Sequence, residues 1–109
     1  LNVTPAKNDG TTVYRVTVKN VPVEAFWSIS VYNAKGYFEA NPQNACTLNN
    51  LTAKKAEDGS ITIQFGGDPK APNQLPIVPG WNYIVRLYRP RSEILDGKWM
   101  FPEAQPVGQ

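Results

Sequence analysis

Histidine is absent from this sequence, and cysteine occurs only once, as Cys46. Histidine is the commonest general base and the commonest nitrogen ligand for metal ions, so its absence excludes Ser-His-Asp and Cys-His catalytic sites. A lone cysteine cannot form a disulfide within the chain. The sequence therefore predicts no metal site and no cofactor, and it leaves open only an oxygen-ligand calcium site in an acidic loop.

A large excess of one charge is also missing, because 11 lysines and arginines are nearly balanced by 9 aspartates and glutamates, for a net charge of +2. The basic residues are scattered along the chain, which gives no electrostatic support for a nucleic-acid partner. No run approaches the roughly 18 continuous apolar residues of a membrane-spanning helix. Membrane insertion is therefore not expected.

The sequence is rich instead in short runs of β-branched and aromatic residues, separated by 8 glycines and 10 prolines. This composition is typical of a turn-rich β protein. Alternation of apolar and polar residues predicts strands in residues 12–19, 25–33, 61–65 and 81–90, and an irregular strand in residues 45–56. The sequence therefore predicts one domain over residues 1–109, an all-β, antiparallel, jelly-roll-like sandwich.

Glycine and proline mark the predicted turns. Gly36 and the pair Asp58-Gly59 occupy positions where a positive φ is expected, and strand pairing is expected to resume at residues 37–38. The segment 66–80 contains four prolines, so it is expected to be a surface connection rather than a central strand.

The C-terminal part of the chain has a different pattern. A single helical turn is predicted in residues 91–97, with Ser92 as its N-cap and Gly97 as its terminator. The tail that follows is expected to lie along the domain, anchored by Trp99 and Phe101.

The stretch VEAFWSISVYNAKGYF, residues 23–38, carries several aromatic side chains and can be interpreted as a binding surface or as two strands of a core. Successive side chains of a strand point to opposite faces, so Trp27, Ile29 and Val31 share one face. Large aromatic and aliphatic residues dominate sandwich interiors, which favours the core interpretation for this face.

The opposite faces of three predicted strands carry polar and aromatic side chains. If these strands share a sheet, they form one contact face with five predicted binding residues: Ser30, Tyr32, Gln64, Arg86 and Tyr88. A guanidinium beside two phenols suits hydrogen-bonded recognition of a small anionic or sugar-like ligand, or of a companion domain. The alternative is that Arg86 forms a structural ion pair or lies over its neighbours. No catalytic residue is predicted.

Several motifs in combination resemble one bacterial family. The segments VPVEAFWSISVYNAKGYF, NPQN, DGSITI, LPIVPGWNYIVRLYRP and EILDGKWMFP follow one another at the spacing of the family called domain of unknown function 1214, over residues 13–102. The resemblance implies a jelly-roll-like antiparallel sandwich and no established reaction. It also implies a companion domain, because this domain is commonly the C-terminal half of a longer protein.

These observations predict a non-catalytic β-sandwich module that binds a ligand or a partner. Two alternatives stay open: a hydrolytic enzyme, such as one acting on carbohydrate through two carboxylates, and a purely structural domain that forms a homo-oligomer. The carboxylates fall mainly in turns, where hydrogen bonds to nearby backbone account for them. The first residue is Leu1 rather than Met. Together with the export signals frequent in the resembled family, this favours a periplasmic or otherwise extracytoplasmic location over a cytoplasmic one.

Overall fold

Residues 2–36, 47–68 and 70–107 are described by a computed structural model of the chain. The strands in these ranges are β1 (Asn2–Val3), β2 (Tyr14–Val18), β3 (Val23–Tyr32), β4 (Thr47–Asn49), β5 (Ile61–Phe65), β6 (Gln74–Leu75), β7 (Asn82–Pro90) and β8 (Gln105–Pro106). A short helix, α1 (Ser92–Leu95), lies between β7 and β8. No helix in these ranges has the length and apolar character needed to cross a membrane.

The strands form two sheets of four. In the first sheet the order is β1-β7-β3-β4, and each neighbouring pair is antiparallel. In the second sheet the order is β6-β5-β2-β8, and only the β5–β6 pair is parallel. The prediction of an all-β, mainly antiparallel protein with one short helical turn is confirmed. The jelly-roll connectivity stays a prediction.

Strand β2 illustrates how the sequence pattern becomes a sheet face. Its buried residues Tyr14, Val16 and Val18 alternate with the exposed residues Arg15 and Thr17. Strand β5 pairs with β2 along its whole length in antiparallel register. Because side chains alternate across a strand, the apolar half of each strand points to the core and the polar half to the outside.

Aromatic contacts join the inner faces of the two sheets. Phe65 of β5 stacks on Trp81 and Tyr83, with ring centroids 5.1 and 4.9 Å apart, and Tyr14 of β2 meets Trp81 edge to face at 5.6 Å. Trp81 immediately precedes β7 and is completely buried. Stacked and edge-to-face pairs add to the stability gained from burial alone, so this cluster holds the sheets together.

Strands β3 and β7 form the central pair of the first sheet, and they show whether residues 23–38 belong to the core or to a binding surface. Trp27, Ile29 and Val31 of β3 are all buried, and Trp27 also packs edge to face on Phe101 at 5.4 Å. The core interpretation of this face is therefore confirmed. Strand β3 pairs with β7 over residues 26–32 and 82–88, with a bulge toward its start.

The predicted turns are partly confirmed. Gly36 has φ of +84°, and its N–H donates to the Asn33 carbonyl at 2.9 Å. Gly59 also has a positive φ, but Asp58 does not, so the prediction that both residues need one is wrong. The Asp58 carboxylate instead accepts from the N–H and the hydroxyl of Ser60, which fixes the turn with a single left-handed residue.

Two predicted segments fall partly outside the described residues. The resumption of strand pairing at residues 37–38 lies outside them, and so do residues 45–46 of the predicted irregular strand. The described part of that irregular strand is the three-residue strand β4, which is followed by a turn rather than by more strand.

The segment 66–80 is not wholly a surface connection, so that prediction is wrong in part. It contains β6, in which Leu75 has no exposed surface and Gln74 only 9%. Strand β6 lies at the edge of the second sheet, where the neighbouring prolines do not interrupt a ladder on both sides. Leu75 is buried here because the edge strand brings it beside the inner face of β5.

The C-terminal segment joins the two sheets. Position Arg91, not Ser92, is the N-cap of α1, and it provides no side-chain cap, so the predicted cap is wrong. Gly97 has φ of +81° and follows the helix as predicted. Phe101 is 5% exposed and Trp99 packs beside the core, which confirms the predicted anchors. Farther along, β8 pairs with β2 of the second sheet.

Candidate functional site

The face of the first sheet that points away from the core carries most of the predicted binding residues. We call it the outer face and define it by Phe26, Ser28, Ser30, Tyr32, Ile84, Arg86 and Tyr88. Strand register places these residues side by side, because Phe26 is opposite Tyr88 and Ser28 is opposite Arg86. Four of the five predicted residues thus share one surface.

Arg86 is the charged centre of the outer face. Its Nη2 donates to the Tyr32 hydroxyl at 2.9 Å, and its Nη1 makes a longer contact of 3.5 Å to the Ser30 hydroxyl. The hydrogen bond to Tyr32 raises the pKa of Arg86 above its usual high value. The guanidinium is therefore permanently charged and is held in one orientation by side chains of the neighbouring strand.

Ser30 helps to hold the Arg86 guanidinium in position. It is only 2% exposed although it points away from the core, and its hydroxyl also lies 3.0 Å from the Thr47 hydroxyl of β4. Little of its surface can reach another molecule. Direct contacts at the outer face would therefore come from Tyr32, Arg86 and Tyr88, with Ser30 holding the guanidinium in position.

An aromatic pair lies next to the guanidinium. Phe26 and Tyr88 stack with ring centroids 4.3 Å apart and an interplanar angle of 24°, and Tyr88 keeps 39% of its surface exposed. Phe26 was not among the predicted binding residues. The alternation that places it on the same face as Ser28 is visible in the sequence, but its pairing with Tyr88 depends on strand register, which is not.

Gln64 lies on the other sheet, so the expectation that all five residues share one face is wrong. Its strand, β5, pairs with β2 and β6 rather than with β3 or β7. Gln64 is 8% exposed, and its amide is used within the second sheet: Oε1 accepts from Arg15 Nε at 3.1 Å, and Nε2 donates to the Gly66 carbonyl at 3.0 Å.

The outer face contains no carboxylate among its defining residues, and the aspartates of the described ranges have local roles. Asp9, Asp58, Asp68 and Asp96 each accept a hydrogen bond from a backbone N–H two residues farther along the chain. Within these ranges, no three cysteine or acidic side chains lie close enough together to hold a metal ion. The predicted role of these turn aspartates is thus confirmed.

Comparison with known proteins identifies the family. A family model described as Protein of unknown function (DUF1214) matches residues 4–92. The chain belongs to this family. Its fold is similar to that in the crystal structure of the VPA0106 protein from Vibrio parahaemolyticus, with a TM-score of 0.79 and 29% sequence identity. No curated protein matches the chain.

The similarity covers very different shares of the two proteins. It includes 92% of this chain but only 27% of the Vibrio chain, so this chain spans about a quarter of that protein's length. The resemblance to the family in the sequence is confirmed by the family match. The family description assigns no reaction and no ligand.

Proposed function

We propose that this chain is a non-catalytic binding module whose outer face contacts a companion domain. The observation that supports this proposal is the pre-ordered guanidinium of Arg86 beside the exposed ring of Tyr88, which stacks on the half-buried Phe26. Arginine and aromatic residues are enriched in the centres of protein interfaces, where they contribute a large share of the binding energy.

The small share of the Vibrio protein covered by the similarity favours a companion domain over a free ligand. In that relative, 73% of the chain lies outside the similar region, from 100% minus the 27% covered. A sheet face in such a protein has a large neighbouring polypeptide available as a partner. A partly exposed stacked aromatic pair next to a fixed charge suits contact with a protein surface better than contact with solvent.

The chemistry of the outer face also specifies what the companion would present. A guanidinium carries five N–H donors in a planar fork, and the contacts to Tyr32 and Ser30 use only some of them. A carboxylate on the companion would pair with the remaining donors, and an apolar side chain would pack on Tyr88. Because Arg86 is already ordered, little side-chain entropy is lost on binding.

The proposal can be tested by assembly of two polypeptides. The 109-residue chain is produced together with the part of the Vibrio VPA0106 chain that lies outside the similar region, and the affinity is measured by titration of the separated partners. Arg86→Ala should weaken binding by about 1–3 kcal/mol, the cost of losing a hydrogen bond to a charged group. The free energy of unfolding in urea should fall by no more than about 1 kcal/mol, because the contacts of Arg86 to Tyr32 and Ser30 are solvent-accessible or long.

Arg91→Ala is the matched control, because Arg91 is an exposed arginine beyond the end of β7. It should leave the affinity unchanged. Three results would contradict the proposal: no binding of the Vibrio polypeptide by the unaltered chain, loss of stability with unchanged binding in Arg86→Ala, or dimerisation of the chain alone through the outer face. The second result would make Arg86 a structural residue.

A further inference from the structure

The second sheet carries a cavity that is separate from the outer face. Its volume is about 440 Å³, and it lies where the outward side of β5 meets the segments around residues 54–56 and 71–73. Small-molecule sites in proteins have volumes of roughly 300–1,000 Å³. This cavity is therefore large enough for a compact organic ligand.

Three basic residues line the cavity. Arg15, Lys54 and Lys55 all line it, and no carboxylate does so among the described residues. These residues lie on β2 and on the segment that precedes β5, so the fold gathers charges that are distant in the sequence. The unbalanced positive charge favours an anionic ligand.

The arginine is held in place from one side. Arg15 Nε donates to Gln64 Oε1 at 3.1 Å, and Gln64 is in turn fixed by its own bond from Nε2 to the Gly66 carbonyl at 3.0 Å. Gln64 is more than nine-tenths buried. This polar side chain therefore orients the guanidinium at the cavity while leaving the two terminal nitrogens of Arg15 for a ligand.

The lysine-bearing wall is also anchored. Asn73 Oδ1 accepts from the Lys54 N–H at 2.7 Å, and Asn73 Nδ2 donates to the carbonyls of Lys54 and Thr62 at 2.8 and 3.1 Å. One side chain thus ties the backbone of the lysine segment to β5. Both bonds to Lys54 are made by its backbone, so its ammonium group is not engaged by Asn73.

The rest of the lining is apolar except for Thr62, whose hydroxyl lies 2.8 Å from that of Thr17. Ala56, Ala71 and Pro72 contribute methyl groups and a pyrrolidine ring. We propose that the cavity binds a small organic anion, with its carboxylate or phosphate oxygens on Arg15 and the lysines and its carbon skeleton on this apolar wall. The site is on the opposite sheet from the outer face, so the proposal does not depend on the proposed function.

The test uses hexanoate as the probe, with hexanamide as its neutral analogue and inorganic phosphate as an anion without a carbon skeleton. Nuclear magnetic resonance spectra of the ¹⁵N-labelled 109-residue chain follow the side-chain amides of Gln64 and Asn73 and the Nε–H of Arg15. Hexanoate should shift these signals saturably. Hexanamide and phosphate should each bind at least about tenfold more weakly, because hexanamide lacks the negative charge and phosphate lacks the carbon skeleton.

Two variants separate binding from folding. Arg15→Gln should weaken hexanoate binding by about tenfold or more, the scale of a lost hydrogen bond to a charged group. The double variant Lys54→Gln with Lys55→Gln keeps the backbone bonds to Asn73 and should weaken binding as well. Lys35→Gln removes one exposed lysine from the turn after β3 and should have no effect.

Several results would overturn the proposal. The first is a lack of saturable shifts with hexanoate. Equal affinity for hexanamide would show that the cations are not used, and equal affinity for phosphate would show that the apolar wall is not used. Unchanged binding in the double lysine variant would remove Lys54 and Lys55 from the site, and an equal loss in Lys35→Gln would show an effect of overall charge only.

Discussion

Asn73 gives a sharp test of how the second sheet is held together. Its side-chain amide makes three hydrogen bonds, two to the backbone of Lys54 and one to the Thr62 carbonyl, and its own backbone has φ of +55°. Asparagine is among the few residues other than glycine that adopt this left-handed conformation readily. Asn73→Gly and Asn73→Ala therefore remove the same hydrogen bonds but differ in backbone strain.

The expected losses follow from these contacts. The three hydrogen bonds are solvent-accessible, so each contributes toward the low end of the usual range, about 0.5 kcal/mol, for a total of about 1.5 kcal/mol. Alanine at a positive φ costs about 1 kcal/mol more than glycine. We therefore expect the free energy of unfolding to fall by about 1.5 kcal/mol in Asn73→Gly and by about 2.5 kcal/mol in Asn73→Ala.

Urea unfolding followed by tryptophan fluorescence measures both values. With a slope of roughly 1–3 kcal/mol per molar, the loss of about 2.5 kcal/mol in Asn73→Ala lowers the midpoint by about 0.8–2.5 M. Unchanged stability in Asn73→Gly would refute the structural role of the amide. Equal losses in the two variants would refute the contribution of the left-handed backbone. Asn20→Gly, at an exposed asparagine that follows β2 and also has φ of +55°, is a control for general effects of glycine at such positions.

Two further predictions concern the core and a turn. Trp27→Ala should lower the free energy of unfolding by about 3–5 kcal/mol, because it leaves a cavity where the buried indole packs against Phe101. A change within about 0.5 kcal/mol, measured by urea unfolding, would contradict the place of Trp27 in the core. The pKa of Asp9 is well below its usual 3.8, because its carboxylate accepts from the N–H of Thr12, then from that of Thr11. The stabilisation that goes with this lowered pKa is fully present above about pH 4 and is lost in stronger acid. Asp9→Ala should therefore lower the free energy of unfolding at neutral pH and lower it much less in strong acid. An equal effect at both pH values would exclude this linkage.

Strand positions with several alternating residues could be predicted from the sequence. In β2, buried and exposed side chains alternate over five residues. In β5, apolar and polar residues alternate over five residues in the sequence. Both patterns are long enough to reveal the strand and its inner face. The two-residue strands β1, β6 and β8 carry no such signal. They exist because partner strands offer free backbone groups, a condition set by residues far away in the chain.

The binding surfaces show the same limit. Alternation placed Ser30 and Tyr32 on one face of β3 correctly, but it could not reveal that Gln64 belongs to a different sheet. The basic residues are indeed scattered in the sequence, and only the pairing of β2 with β5 and the bonds of Asn73 bring Arg15 and the lysines to one cavity. Such groups of residues cannot be recognised in the sequence, because their members are far apart in the chain and meet only through strand pairing and packing.

The C-terminal segment also determines where the folded unit can be divided. Phe101 packs on Trp27, the Ala104 N–H donates to the Tyr83 hydroxyl at 3.0 Å, and β8 covers the free edge of β2. A chain shortened to the residues of the family match would end at residue 92 and lose all three contacts.

Such a shortened chain would expose the backbone of β2 as an unprotected strand edge beside an opened core. Exposed edges readily pair with strands of other molecules. If the C-terminal segment of one copy can instead reach β2 of another, the two copies would exchange this segment and form an intertwined dimer. In the full chain, the segment that follows Gly97 keeps this edge covered.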